Sequence, residues 1–299
     1  RIKSINESRV LDELESGKIV IVAGFQGVSI DDQITTLGRG GSDTTAVAIA
    51  AALNAESCDI YTDVEGVYTA NPRIVANARK LDTISYDEML EMARLGAKVL
   101  HYRSVMLAKK FNVPLRVRSS FSENEGTLVM KETKMMEEIV VNGVTYDTDE
   151  AKVSLRGVPD RPGIAARVFE EIGKSNINVD VIIQNASVIE KPVEREITDL
   201  SFTVPEEDLD KTLDVAKRIK DEIGAVAIDV DKNIAKVSVV GIGMKTHVSI
   251  AAKMFRALAD ENINIQMIST SDIKISCVID EKYVEKAVRI IHDKFELDK

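Results

Sequence analysis

A glycine-rich segment at residues 35–43 combines residues that could hold an anion and organise a reaction. Its sequence is Thr-Thr-Leu-Gly-Arg-Gly-Gly-Ser-Asp, and an alanine-rich stretch typical of a helix follows it. Gly38, Gly40 and Gly41 let the backbone approach a ligand closely and adopt positive φ. The free N–H groups at a helix start attract an anion, and Arg39 offers a planar fork suited to a carboxylate.

Asp43 closes this segment and favours a functional interpretation over a structural turn. A carboxylate beside an anion site is unfavourable unless it orients a cation or a catalytic group. The segment is neither a Walker A loop, because it lacks the Gly-Lys-Ser/Thr ending, nor a dinucleotide fingerprint. Without Asp43, a purely structural strand-to-helix turn would be the simpler explanation.

Two further clusters could bind a nucleotide. Thr62 and Asp63 follow a predicted strand, and α/β folds place ligand-binding loops at the carboxyl ends of strands. Tyr68 could stack on a base and Arg73 could reach phosphates, although a Gly-Pro turn without a role explains the same residues. Lys98 follows a flexible glycine, but a lone lysine is usually a solvated one.

The elements that must position these clusters alternate between strands and helices, which predicts a mostly parallel sheet covered on both faces. Predicted strands lie at residues 19–23, 60–62 and 114–118, and predicted helices at 42–52, 85–95 and 99–111. The run Ile-Val-Ile-Val-Ala at 19–23 is typical of a buried strand. The polar residues 122–136 suggest a linker.

The rest of the chain contains an internal repeat. Residues 164–178 and 250–264 are identical at seven of fifteen positions, at a fixed offset of 86. Each copy predicts strand, helix, strand, strand, helix and a final strand signal or the chain end, which is the ferredoxin-like βαββαβ unit. A fold of this kind does not define a function, so the motifs must decide.

Composition limits the function classes. The 299 residues suit two or three domains, and the net charge of -10 argues against a nucleic-acid partner. No run of eighteen apolar residues occurs, so we expect no membrane span. Cys58 and Cys277 lie far apart in apolar sequence, which is typical of buried free thiols in a reducing cytoplasm, so we expect a cytoplasmic protein.

Taken together, the motifs resemble the aspartokinases of the amino-acid kinase fold. Gly-Arg-Gly-Gly-Ser-Asp, Tyr-Thr-Asp-Val-Glu-Gly-Val-Tyr-Thr and Gly-Ala-Lys-Val-Leu-His stand in the order and spacing of that family, and the two repeats resemble paired ACT domains. The resemblance implies an α/β fold: the C-terminal part of an amino-acid kinase αβα sandwich, followed by two ferredoxin-like βαββαβ ACT domains. We expect a partial catalytic domain at 1–130, a first ACT domain at 148–230, and a second ACT domain made of 136–147 plus 231–299. The first ACT domain would thus be inserted into the second, whose opening strand we predict at 138–146.

The resemblance also implies a reaction and its residues. Arg39 would hold the α-carboxylate of L-aspartate with Ser42 nearby, and Asp43 would organise the reacting centre. A side-chain carboxylate oxygen would attack the γ-phosphorus of ATP, bound with Mg2+, to give 4-phospho-L-aspartate on the route to lysine, threonine and methionine. Positioning and charge stabilisation supply most of such catalysis. The nucleotide site would be lined by Thr62, Asp63, Tyr68, Arg73, Lys98 and Val99. No residue is assigned as a metal ligand.

Feedback by lysine, threonine or both is implied at the repeats. From its chemistry, Asp160 could take an effector's amino group, and the helix start that follows could take its carboxylate. The first copy would contribute Asp160, Arg161, Gly163, Ile164, Ala165, Asn178, Val179, Asp180 and Gln184. The second copy would contribute Ile250, Ala251, Asn264, Ile265, Thr270 and Ser271. The second copy lacks the Asp-Arg-Pro-Gly loop, so the two sites are not equivalent, and Ala251 stands where family members often have threonine.

One departure from the family bears on activity. Aspartokinases open with a Lys-Phe-Gly-Gly-Thr-Ser segment that supplies a phosphate-steadying lysine, and this sequence does not occur here. The chain begins at Arg1 inside a strand-and-helix pattern, so we expect further sequence upstream and no appreciable kinase activity from residues 1–299 alone. The alternative is a non-catalytic, amino-acid-sensing subunit or fragment of the same enzyme. Exposed ACT sheet edges predict a homodimer or an α2β2 assembly.

Overall fold

The computed structural model describes residue 2 and residues 4–133, 140–185, 188–190, 195–247 and 249–299. The helices are α1 (Ser8–Glu15), α2 (Gly41–Ala52), α3 (Tyr86–Arg94), α4 (Tyr102–Phe111), α5 (Ile164–Lys174), α6 (Leu209–Ile223), α7 (Ile250–Asp260) and α8 (Val284–Lys294). The strands are β1 (Gln26–Val28), β2 (Ile34–Thr36), β3 (Cys58–Thr62), β4 (Thr83–Ser85), β5 (Leu115–Ser119), β6 (Thr127–Met130), β7 (Gly143–Asp147), β8 (Glu150–Pro159), β9 (Ile182–Gln184), β10 (Val188–Glu190), β11 (Arg195–Pro205), β12 (Ala227–Asp231), β13 (Ile234–Val240), β14 (Met267–Thr270) and β15 (Lys274–Asp280). Within this described part, no helix is long and apolar enough to cross a membrane.

The N-terminal part, residues 4–133, contains a four-stranded sheet in the order β3-β5-β6-β4. Its β3–β5 and β4–β6 pairs are parallel and its β5–β6 pair is antiparallel, so two of the three pairs are parallel and the sheet is mixed. Strand β6 lies inside the stretch that we predicted as a linker. Thr127 and Val129 are both fully buried, and the Thr127 hydroxyl donates to the carbonyl of Leu81. Two inward-facing residues in a polar stretch are too weak a pattern to reveal a strand.

The predicted buried strand at residues 19–23 is wrong. Ile19 and Ile21 are each 93% exposed, and this run forms no strand in the described part of the chain. A strand satisfies its backbone N–H and C=O groups through neighbouring strands. Neither edge of the β3-β5-β6-β4 sheet pairs with these residues. Apolar composition alone therefore does not make the run a strand.

Two repeat units follow. The first repeat unit comprises β8–β12 with α5 and α6, and its strands are ordered β10-β11-β8-β12, with β9 also on β11. The second repeat unit comprises β13–β15 with α7 and α8 together with β7, in the order β14-β15-β13-β7. Because β7 precedes the first unit and pairs antiparallel with β13, the first unit lies in sequence between two strands of the second. Residues 136–139, where we placed the start of that opening segment, lie outside the described residues.

Glu88 joins the N-terminal part to the second repeat unit. Ser85 caps α3 in a capping box with Glu88, whose carboxylate is fully buried. One oxygen of Glu88 accepts from the backbone and hydroxyl of Ser85 at 3.2 and 2.7 Å. The other accepts from Nδ2 of Asn142 at 2.6 Å and the backbone N–H of Ile242 at 3.0 Å. A buried carboxylate is thus satisfied from both sides of the joint.

Lys236 joins the two repeat units. It lies on β13 with a side chain that is only 2% exposed, and it forms ion pairs with Glu150 on β8 and with Asp180, the latter at 2.6 Å. Burial raises the pKa of Glu150. Burial also opposes the charge on Lys236, but the two carboxylates outweigh burial and raise the pKa of Lys236. Val181, Ile234, Met267 and Val278 form a small apolar cluster between the units.

Replacing Lys236 by Met should lower the free energy of unfolding by about 3–5 kcal/mol, because Glu150 would remain buried without a cation. Urea denaturation of residues 1–299 measures this change. Glu150→Gln in the Lys236→Met background removes the uncompensated charge and should restore much of the loss. Equal instability of the single and double variants would show that the ion pair does not hold the joint.

Candidate functional site

The glycine-rich segment forms the entry to α2. Gly38 and Gly40 adopt φ of 77° and 69°, and Gly40 is the N-cap of the helix. A Cβ on Gly40 would lie 2.1 Å from Cγ of His101, so only glycine fits there. Arg103 donates to the carbonyl of Leu37 at 2.7 Å and secures the segment from the side of α4. The backbone therefore forms a close-packed turn at a helix N-terminus that requires glycine.

The three residues predicted for the substrate carboxylate and the reacting centre, Arg39, Ser42 and Asp43, lie at the start of α2. Arg39 and Ser42 are exposed, and Asp43 is half-buried in the first turn of α2. Neither the Arg39 nor the Asp43 side chain forms an ion pair or hydrogen bond with any residue that the structure describes. Burial, together with the charges of Asp59 and Asp43, raises the pKa of the Cys58 thiol to about 11, so Cys58 stays protonated. The site thus presents one cation and one anion to a ligand.

A cavity of about 470 Å³, here called the interdomain cavity, lies between the N-terminal part and the second repeat unit. All six residues predicted for the nucleotide line it: Thr62, Asp63, Tyr68, Arg73, Lys98 and Val99. Thr62 and Asp63 stand at the carboxyl end of β3, as the sheet rule predicts. The structure therefore brings together residues that are 37 positions apart in sequence.

The opposite wall of this cavity was missed from sequence. It consists of residues 144–149, from the end of β7 and the turn after it. Lys98 forms an ion pair with Asp149 at 3.1 Å, and both side chains are largely exposed. Gly96, at φ 98°, lies so close to this wall that a Cβ would be 1.9 Å from the carbonyl oxygen of Tyr146. The absence of a side chain at residue 96 was the only sequence signal for this approach.

A second cavity, here called the repeat-unit cavity, has a volume of about 410 Å³ and lies at the start of α5. Six of the nine predicted residues of the first copy line it: Asp160, Arg161, Gly163, Ile164, Ala165 and Gln184. Thr198, Leu200 and Val158 also line it and were missed. Thr198 on β11 is paired with Val158 on β8. Its position at the cavity could be known only from the register of these two strands.

The remaining predicted effector residues lie elsewhere. Asn178 is exposed, Val179 packs on the core of the first repeat unit, and Asp180 is in the ion pair with Lys236. The six residues of the second copy do not line the repeat-unit cavity, and Ile250 is part of the core of the second unit. Their role as effector contacts stays a prediction. Among the described residues, no three His, Cys, Asp or Glu side chains are grouped as a metal site.

Comparison with known proteins gives consistent matches to both halves of the chain. Residues 1–119 match the amino acid kinase family, and residues 153–218 and 237–295 match the ACT domain. The chain is 52% identical over 299 residues to the aspartate kinase Ask_LysC of Stutzerimonas stutzeri, covering 100% of this chain and 71% of that protein. It is also 52% identical to the aspartokinase of Pseudomonas aeruginosa, with the same coverage.

Solved structures of similar fold are also aspartate kinases. The enzyme of Clostridium acetobutylicum matches with a TM-score of 0.80 and 28% identity, over 91% of this chain and 62% of that chain. Aspartokinase III of E. coli in complex with aspartate and ADP matches with a TM-score of 0.79 and 29% identity, over 96% and 63%. Its complex with lysine and aspartate matches with a TM-score of 0.73 and 28% identity, over 97% and 63%. The chain thus spans about three fifths of these solved chains.

Gly40→Ala should destabilise the fold more than Gly17→Ala. Both positions have positive φ, which costs a residue with a Cβ about 1–2 kcal/mol, but a Cβ on Gly17 meets nothing within 4 Å. In a His101→Gly background the three nearest atoms, Cβ, Cγ and Cδ2 of His101, are gone, so Gly40→Ala should then cost about as much as Gly17→Ala. Urea unfolding of the four variants measures this. Equal costs of Gly40→Ala with and without His101 would contradict the packing argument.

Proposed function

The chain belongs to the aspartate kinase family, and on this premise we propose that its protein transfers the γ-phosphoryl group of MgATP to the side-chain carboxylate of L-aspartate. The product is 4-phospho-L-aspartate. The observation that carries the proposal is the convergence of six predicted nucleotide residues on the interdomain cavity. The complex of the E. coli relative with aspartate and ADP supports it, because the two ligands are an acceptor and a nucleotide product.

The acceptor end of the reaction is assigned to the start of α2. Arg39 can bind the α-carboxylate of aspartate through two parallel N–H···O bonds, and the free N–H groups of the helix start add a partial positive charge. Ser42 is exposed beside it and can donate its hydroxyl. Asp43, in the same turn, orients the cationic groups at the reacting centre. Fixing the acceptor in this way makes its second carboxylate the attacking group.

The nucleotide end is assigned to the interdomain cavity. Tyr68 stacks on the base, and Arg73 and Lys98 offset the phosphate charge. Lys98 can leave its exposed partner Asp149 for a phosphate at little cost, because exposed ion pairs contribute little. Mg2+ enters as part of the MgATP substrate, where a metal usually keeps waters and binds phosphates with one or two carboxylates. Asp63 is the carboxylate of the N-terminal part that lines this cavity.

The full-length gene product should show aspartate-dependent release of ADP in a coupled assay. Arg39→Lys should raise the KM for aspartate roughly ten- to hundredfold, because a lysine cannot make the paired bonds, which contribute about 1.5–3 kcal/mol. Lys98→Met should raise the KM for ATP and leave that for aspartate unchanged. Asp82→Asn, which removes a similar exposed ion pair with Lys80, serves as the control. ADP release that does not depend on aspartate would refute the acceptor assignment.

We further propose that lysine, threonine or both inhibit the enzyme through the repeat-unit cavity. Asp160 lines this cavity and pairs with no cation in the described part of the chain, so it can bind an effector's ammonium group. No side chain caps the start of α5, so N–H groups of its first turn can donate to the carboxylate of the effector. Support comes from the complex of the E. coli relative with lysine.

Asp160→Asn should abolish most of the heat of lysine or threonine binding in calorimetry, because it removes the charge that pairs with the ammonium group. Asp210→Asn, an exposed carboxylate on α6, is the matched control and should bind as the unaltered protein does. Titrating the two amino acids separately and together identifies the effector. Undiminished heat with Asp160→Asn would place the effector outside the repeat-unit cavity.

We propose the assembly and the location of the protein from two simpler features. Strands β12 and β14 are sheet edges of the two repeat units, and such edges commonly pair with a second chain. This supports a homodimer or an α2β2 assembly. Cys58 and Cys277 are both buried free thiols, which supports a cytoplasmic location.

A further inference from the structure

The loop of residues 68–74 is a wall of the interdomain cavity and is attached at the same time to the second repeat unit. Tyr68, Ala70, Asn71 and Arg73 line the cavity. Thr69, between them, is fully buried on the opposite side of the loop. The loop therefore has one face toward the proposed nucleotide and one face toward the repeat unit.

Thr69 makes the central attachment. Its hydroxyl lies 3.0 Å from Nε2 of His292 on α8 and accepts the backbone N–H of Arg79 at 2.9 Å. Its carbonyl accepts the backbone N–H of Val144 on β7 at 2.7 Å. Thr69 and His292 are both 0% exposed, so water cannot replace this bond without opening the interface. The contact joins residues 223 positions apart.

Other contacts attach the same loop to the same two elements. Arg289, one turn before His292 on α8, donates to the carbonyl of Ile74 at 2.9 Å. Asn71 donates to the hydroxyl of Tyr146 on β7 at 3.2 Å. Ala70 and Val75 belong to the apolar core of the second repeat unit. The loop thus packs as an extension of that unit's core.

The chemistry of His292 is compatible with a positioning role. Burial lowers the pKa of His292, so the ring is neutral at pH 7. Its Nδ1 is buried without a hydrogen bond in the described part of the chain, and the nearest carboxylate oxygen, on Asp293, is 3.9 Å away. The bond to Thr69 is therefore the polar contact that fixes this ring in the interface.

We propose that His292 is a positioning residue for the nucleotide site: by holding Thr69 it places Tyr68 and Asn71 on the cavity wall, and it makes nucleotide affinity depend on α8 of the second repeat unit. The inference rests on the proposed function of the interdomain cavity. Under this inference the second repeat unit positions the nucleotide site, whereas the first repeat unit binds the effector. A shift of α8 relative to the β3-β5-β6-β4 sheet would change the cavity wall directly.

The test uses the full-length gene product and titration of MgADP by calorimetry. Thr69→Val keeps the shape of the side chain and removes the hydroxyl, and His292→Leu removes the ring. Each should weaken MgADP binding about three- to tenfold, as expected for loss of the Thr69–His292 hydrogen bond. Thr69→Val also removes the acceptor of the Arg79 N–H, so its effect should be at least as large as that of His292→Leu. The KM for ATP should rise by the same factor, with the KM for aspartate unchanged. Thr69→Ser and His292→Gln, which keep a polar group in place, should stay within about twofold of the unaltered protein.

Two comparisons separate positioning from general destabilisation. The double variant Thr69→Val with His292→Leu should bind MgADP no more weakly than Thr69→Val alone, because that single variant has already lost the Thr69–His292 bond. Val168→Ala, a fully buried core change on α5 of the first repeat unit, should lower stability but leave MgADP affinity unchanged. If Val168→Ala weakens binding as much as Thr69→Val does, loss of stability explains the effect and the proposal is wrong.

The remaining outcomes are also decisive. Thr69→Val with unchanged MgADP affinity overturns the inference even if His292→Leu fails to fold. If the unaltered protein shows aspartate-dependent turnover and the variants bind MgADP as tightly as it does, the inference about His292 is wrong and the proposed function stands. Failure of the unaltered protein to bind MgADP rejects the proposed function of the cavity and the inference with it.

Discussion

The buried carboxylate of Glu88 is the interaction on which the docking of the N-terminal part against the second repeat unit depends. Its partners come from α3 on one side and from Asn142 and Ile242 on the other. A buried charge that loses its partners is strongly destabilising, since water is not present to replace them. Separating the N-terminal part from the second repeat unit would therefore remove two hydrogen-bond donors from the Glu88 carboxylate, those of Asn142 and Ile242. The interdomain cavity lies beside this joint and has walls from both sides, so its shape follows from the same bond network.

The buried ion pairs of this molecule stabilise its joints, whereas the exposed charges are available to ligands. Lys236 is almost completely buried between Glu150 and Asp180 and fixes the two repeat units together. Lys98 and Asp149 are largely exposed, so their ion pair contributes little to the fold and is easily exchanged for a ligand. Arg39 forms no such pair within the described residues. The charges that we assign to substrates, on Arg39 and Lys98, thus contribute least to the stability of the fold and are available for binding.

Much of the candidate site could be predicted because its residues occur in short, chemically distinctive segments. The glycine turn before α2 and the Thr-Asp pair after β3 carry their own local signals. The wall at residues 144–149 could not be predicted, because it reaches the cavity only through the pairing of β7 with β13. Asp180 was expected at the effector, but tertiary pairing with Lys236 uses its charge. His292 belongs to no motif, and although Thr69 closes the motif at residues 61–69, nothing in the sequence indicated its contact with a residue 223 positions away.

The loop after the first strand has different contacts in the two repeats. The loop after the first strand of the first copy, with Asp160 and Gly163, borders the repeat-unit cavity. The loop after the first strand of the second copy becomes a 3-10 helix (Ile242–Thr246), and Ile242 is buried with its N–H donated to Glu88. The position that borders the repeat-unit cavity in one copy thus faces the N-terminal part in the other. The different sequence of the second copy, which lacks Asp-Arg-Pro-Gly, is therefore compatible with its contact to Glu88.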